Sequence, residues 1–170
     1  RAQVRKLNEM IQQNRTRMDF MERFQKMIDD YNSGAKNIEA LFAELIKFAQ
    51  SLKEEEKRAM REELTEEELA IFDILTKPEP KLTKKEEAQV KKMVRELLEK
   101  LKREKLVLDW TKQQQTKAVV QDFIEEFFDE GLPETYGADL FQTKCDLTFM
   151  HVYDIYGNFS SQLGIPEMRA

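Results

Sequence analysis

With 170 residues the chain is long enough to bury a core, as one domain or as two packed subdomains. An apolar share of 41 % excludes disorder throughout, while 36 % charged residues beside only five Gly and four Pro argue against a strand-and-turn protein. The formal net charge is −5 and a single cysteine, Cys145, excludes an internal disulfide and suits a reducing compartment.

The expected fold is all-α, a helical bundle of about seven helices with no sheet. The chain opens on Arg1 rather than Met, and Val4, Leu7 and Ile11 already keep a helical period, so a longer parent chain is expected. A first helix covers roughly residues 1–12 and stops near Asn14. A second starts after Thr16, whose hydroxyl is the expected cap, and carries Phe20, Phe24, Met27, Ile28 and Tyr31 on one side. Asn32-Ser33-Gly34 ends it with turn chemistry. The third has the cleanest period, Ile38, Leu41, Phe42, Leu45, Phe48, Ala49 and Leu52, and then runs into KEEEKRAMREE, a solvated extension with only Ala59 and Met60 to bury.

Thr65 and Glu68 form a capping box ahead of a short fourth helix with Leu69, Phe72 and Leu75. Pro78 and Pro80 exclude helix from residues 77–82, which are expected to divide a helical region at 1–76 from a C-terminal helical domain at 83–157. A second capping box, Thr83 and Glu86, opens a helix of roughly 22 residues with Val90, Val94, Leu97 and Leu101 on a narrow stripe. Trp110, Val119, Val120, Phe123, Ile124, Phe127 and Phe128 then give the helix on which this half is organised, expected to be capped by Asp109 and ended by a left-handed Gly131 and by Pro133. The last helix carries Leu140, Phe141, Cys145, Thr148, Phe149, Val152 and Tyr156. Residues 158–170 have no apolar period and are expected to be extended or partly ordered.

Catalytic chemistry has little to draw on. His151 is the only histidine, so a His-based metal cluster cannot be assembled, and no Ser-His-Asp arrangement is expected. Cys145 lies on a packed face, Glu125-Glu126 and Asp129-Glu130 lack a His or Asn companion, and the glycines form no phosphate-cradling loop. No catalytic, cofactor-binding or metal-binding residue is expected within the chain. No apolar run approaches the roughly 20 residues that span a bilayer, so no membrane contact is expected either.

Two binding surfaces remain. The helices from Trp110 to Tyr156 hold nine of the sixteen aromatic residues, more than a small core absorbs, and the segment from Asp122 to Asp154 has nine acids against one Lys. A protein-docking surface is expected there, with Trp110, Glu125, Asp129, Leu132 and Tyr136 as its residues. From Lys81 to Lys105 ten Lys or Arg face five Glu. Lys84, Lys85, Lys91, Lys92, Arg95, Lys102 and Arg103 are therefore the alternative, a sequence-blind contact with DNA backbone, weakened by the interleaved Glu and by the lack of interleaved aromatics.

Several segments together carry a family resemblance. NRTRMDFMERFQKMIDDYN at 14–32, LTEEELAIFDIL at 64–75, Trp110 with QQQTKAVVQDFIEEFFDEGLP, and LFQTKCDLTFMHVYDIY at 140–156 resemble, in order, the helical C-terminal region of the R (restriction) subunit of type I restriction–modification enzymes. The similarity runs from about Ile11 to Tyr156. It implies a helical region downstream of a nuclease domain and two motor domains, attaching the R subunit to a methyltransferase core of modification and specificity subunits. By the same resemblance ATP and Mg belong to the parent protein, DNA is met through the assembled complex, and the setting is prokaryotic and cytoplasmic. A structural brace for the motor domains is the remaining alternative.

Overall fold

The computed structural model describes residues 2–157, so the expected extension at 158–170 lies outside the described residues. It is 81 % helical, with seven α-helices and no strand among the described residues. Residue contacts divide the chain into two compact units, Arg1–Ala70 and Ile71–Ala170. The division falls inside the fourth helix, ahead of the proline segment at 77–82.

The first unit contains α1 (Ala2–Gln13), α2 (Met18–Asn32) and α3 (Ile38–Arg61). Leu7, Met10 and Ile11 of α1, Met27 of α2, and Leu41, Phe48 and Leu52 of α3 form its core. Phe48 is the centre, with the rings of Phe20 and Phe24 at 6.2 and 5.6 Å. Aromatic pairs at such spacing add to the burial of their area. Gly34, at φ +82°, supplies the left-handed turn after α2.

Two local expectations change here. Thr16 does not cap α2: its amide and hydroxyl both donate to Asn14 Oδ1, at 3.1 and 2.6 Å, and a 3-10 turn at Arg15–Arg17 intervenes. The turn places Arg17 inside, where Nε donates to Glu55 Oε2 at 2.7 Å, NH2 to Glu66 Oε2 at 2.8 Å and NH1 to the Met10 carbonyl at 3.2 Å. The charged extension of α3 thus buries Glu55 with Ala59, whereas Met60 is 83 % exposed. A carboxylate displaces the expected apolar residue because two guanidinium groups, Arg17 and Arg58, compensate its charge.

The capping box of α4 (Glu66–Thr76) forms as read, with Thr65 N donating to Glu68 Oε1 at 2.9 Å and Glu68 N to Thr65 Oγ1 at 3.1 Å. Leu69, Ala70, Ile71, Phe72 and Leu75 are buried along this helix.

The second unit holds α5 (Lys84–Lys100), α6 (Gln114–Gly131) and α7 (Ala138–Tyr156), with α6 packed against both others. The Thr83–Glu86 box caps α5, and a π turn at Leu101–Lys105 continues it, with Leu106 N donating to the Leu101 carbonyl. Val90, Val94, Leu97 and Leu101 are wholly buried, as are Val120, Ile124 and Phe128 of α6 and Val152 of α7, with Cys145 and Tyr156 nearly so.

The expected helix start at Trp110 is corrected. Asp109 sits at φ 56° without a side-chain cap, Trp110 belongs to a 3-10 turn at Trp110–Lys112, and α6 begins at Gln114. Tertiary bonding overrides the local period, because the Trp110 indole donates to the Tyr156 carbonyl at 2.9 Å. Gly131 is the second correction: it is helical rather than left-handed. A Cβ there would lie 2.5 Å from Met93 Cγ, so glycine serves the close approach of α6 to α5.

Candidate docking surface

The outer faces of the second unit are fixed by bonds between elements. Gln89 Nε2 donates to the Gly131 carbonyl at 2.9 Å, and the Thr135 hydroxyl donates to the Glu86 carboxylate. That bond, with the Thr83 backbone N–H, holds Glu86 below the usual carboxylate range. Tyr136 OH donates to the Leu75 carbonyl at 2.7 Å, and burial first, then the Glu86 charge, pushes its phenol above the ordinary value. Lys144 Nζ donates to the Ile74 and Lys77 carbonyls at 2.6 and 3.0 Å, near the end of α4. Burial lowers the pKa of this ammonium, while Glu79 opposes the shift.

This framework sorts the five residues expected to dock a partner. Trp110 and Tyr136 are buried and bonded inward, so both act in the core. Glu125 and Leu132 are half-buried, and of the five Asp129 alone is exposed. The 131–137 turn is tied down through Gly131, Thr135 and Tyr136 rather than projecting freely.

Other residues make up the outer faces. On α6, Val119, Asp122, Glu126, Asp129 and Glu130 are exposed, and among the described residues no ion pair joins these four acids to a cation. On α7 the exposed set includes Asp139, Asp146, Leu147, Met150, Tyr153 and Asp154. The one cation of this segment, Lys144, is turned inward, so the surface is more acidic than the composition. Leu147 and Met150 were missed by reasoning from sequence. Their signal was nonetheless present: both are apolar yet out of phase with the buried positions Cys145, Thr148 and Val152.

The basic helix is partly engaged with its own neighbours. Lys91 Nζ lies 5.5 Å from the Phe72 ring centroid and Lys102 Nζ 5.5 Å from that of Tyr156, while Arg103 pairs with Glu99 and Glu104. Lys100 and Lys105 cover Phe127 and Phe123 in the same way. Lys91, Arg95 and Lys102 are half-buried; Lys84, Lys85, Lys92 and Arg103 are exposed. An open cavity of about 350 Å³ between α5 and α6 is lined by both signs of charge, among them Lys92, Glu96, Lys100 and Glu130. In the first unit, Ile38, Phe42 and Ile46 form an exposed apolar stripe on α3.

The reactive side chains are quiet. Cys145 is buried, and burial, with Glu125 and Asp146 adding, pushes its thiol up to about 12, far from a thiolate at neutral pH. His151 is buried as well, and no group of three His, Cys, Asp or Glu suited to a metal occurs among the described residues. No helix among them is long and apolar enough to cross a membrane.

Comparison with known proteins gives one family. The profile described as type I restriction enzyme HindI endonuclease subunit-like, C-terminal, matches residues 3–152. No curated protein and no solved structure gives a significant match.

Proposed function

The chain belongs to the family of C-terminal regions of HindI-like type I restriction endonuclease subunits, and on that premise we propose that it is a non-catalytic assembly domain. In this reading it docks the ATP-dependent, DNA-translocating and cleaving subunit onto the methyltransferase core of modification and specificity subunits. ATP and Mg would serve other domains of the parent protein in the cytoplasm, and DNA would be met through the assembled complex. The observation that carries the reading is the pair of outer faces on α6 and α7, where exposed acids stand beside exposed apolar residues over a core tied by Trp110, Tyr136 and Lys144. Charge with exposed apolar area on rigid elements suits protein recognition better than catalysis.

The test is a mixing experiment by size-exclusion chromatography with light scattering at about 150 mM salt, where contacts beyond about 8 Å are screened. The chain is combined with the cognate methyltransferase core, with and without a short non-specific duplex. A stable complex without DNA is expected; failure to bind the core overturns the docking role.

A second reading, a contact with DNA backbone, is favoured only by the exposed Lys84, Lys85 and Lys92 on α5. It requires salt-sensitive duplex binding that is lost when all three are changed to Gln.

A further inference from the structure

The docking reading leaves open which face meets the partner and what chemistry it meets, and α7 carries an answer. Asp146, Met150 and Tyr153 stand at i, i+4 and i+7, with Leu147 and Asp154 flanking them, so all five share one outward side of the helix. Leu147, Met150 and Tyr153 are 44, 60 and 41 % exposed. On the same helix Lys144, Thr148 and Val152 point into the core, which fixes the rotation of α7 and keeps this side outward. Tyr153 is held from beneath, its ring edge-on to Trp110 at 5.9 Å and near Phe149 at 6.3 Å. An aromatic anchor immobilised before binding loses little entropy on contact.

We propose that this outer face of α7, centred on Leu147, Met150 and Tyr153 and edged by Asp139, Asp146 and Asp154, seats a cationic amphipathic helix of the partner protein. The assignment rests on the docking reading above. Charge selects the occupant. The three acids of α7, Asp139, Asp146 and Asp154, all edge this face, and the helix's one Lys is buried against carbonyls, so the face repels nucleic-acid phosphate and anionic lipid. A second copy, equally acidic on the same face and carrying the chain's net −5, is repelled as well. A helix whose apolar positions recur at i, i+3 or i+4 and i+7 matches the two turns between Asp146 and Asp154, and Lys or Arg beside that stripe would meet the aspartates. A cation can also cover the Tyr153 ring, as Lys102 covers Tyr156 within this unit.

The test titrates the 15N-labelled 170-residue chain with an amphipathic lysine–leucine peptide of about four turns, and in parallel with a glutamate–leucine peptide of the same pattern. The lysine peptide is expected to shift the amides of residues 147–154, and the double variant Asp146→Lys, Met150→Ser to weaken it by about tenfold or more. Both side chains lie in solvent, and Asp146→Lys with Asp154→Lys provides a second variant should the first alter helicity. Shifts centred on Asp122 to Asp129 of α6, equal binding of the glutamate peptide, or undiminished affinity of the variants overturns the proposal. A second arm mixes wild type and variant with the methyltransferase core. If the core binds both equally, the α7 face is not the seat although docking stands. If the core binds neither, docking falls and the peptide titration still decides the face.

Discussion

The indole of Trp110 donates to the main-chain carbonyl of Tyr156 at 2.9 Å, joining positions 46 residues apart inside the second unit. The bond anchors the segment between α5 and α6 to the last turn of α7, and the Trp ring has no solvent exposure. Trp110→Phe removes the donor and leaves a buried carbonyl short of a partner, at a cost of about 1–3 kcal/mol. Trp110→Ala adds a large cavity and is expected to cost about 3–5 kcal/mol. Urea denaturation followed by circular dichroism measures both. Equal stability of the Phe variant and wild type would remove the hydrogen bond from the account.

The buried Arg17–Glu55 pair makes the first unit sensitive to acid. Burial raises the Glu55 pKa, but hydrogen bonds and charge from Arg58 and Arg17 outweigh it, so the folded value lies below the ordinary 4.5. A carboxylate with a depressed folded pKa contributes stability that is fully present above its unfolded pKa and is lost as pH falls through the folded value. Glu55→Gln should therefore be destabilised at pH 7 and approach wild type as the pH falls from 4.5 through the lower folded value. Thermal melts across that range decide it: a constant difference between the two proteins would contradict the assignment.

Gly131 and Met93 make a paired prediction. Gly131→Ala places a methyl 2.5 Å from Met93 Cγ, and the overpacking should cost about 1–3 kcal/mol. In a Met93→Ala background the space is free, and the same change should cost much less. A double-mutant cycle reads the coupling directly. Additive costs would mean that the glycine serves its own backbone instead.

Thr148 points the other way. It is wholly buried on α7, and its hydroxyl has no hydrogen-bond partner among the described residues. Thr148→Val keeps the branched shape and removes the unsatisfied group, so a stabilisation of about 1 kcal/mol is expected as a raised melting temperature. A lowered melting temperature would show that the hydroxyl is satisfied in solution.

The residues differ in how far they announce their roles in advance. The capping boxes Thr65–Glu68 and Thr83–Glu86 are legible because their chemistry closes within four residues. The stripe of Val90, Val94, Leu97 and Leu101 is legible because a periodic apolar face must be buried somewhere. Asp109, Gly131 and Arg17 are misread or passed over for the opposite reason. Gly131 and Arg17 answer to Met93 and Glu55, and the turn after Asp109 is fixed by the bond from Trp110 to Tyr156, partners on other helices that no local pattern names. The acidity of α6 and α7 is visible in the sequence. That Leu147 and Met150 face outward depends on the rotation of α7, and that Trp110 and Tyr136 face inward depends on their bonds to the Tyr156 and Leu75 carbonyls, all of which only packing sets.

Lys144 has a consequence at long range. Because its ammonium is turned onto the carbonyls of Ile74 and Lys77, it does little to offset the field that the acids of α6 and α7 project into solvent. That field reaches about 8 Å at physiological ionic strength and about 30 Å in dilute buffer. A cationic partner approaching this side is thus oriented before it touches, and added salt should slow its capture far more than it hastens its escape.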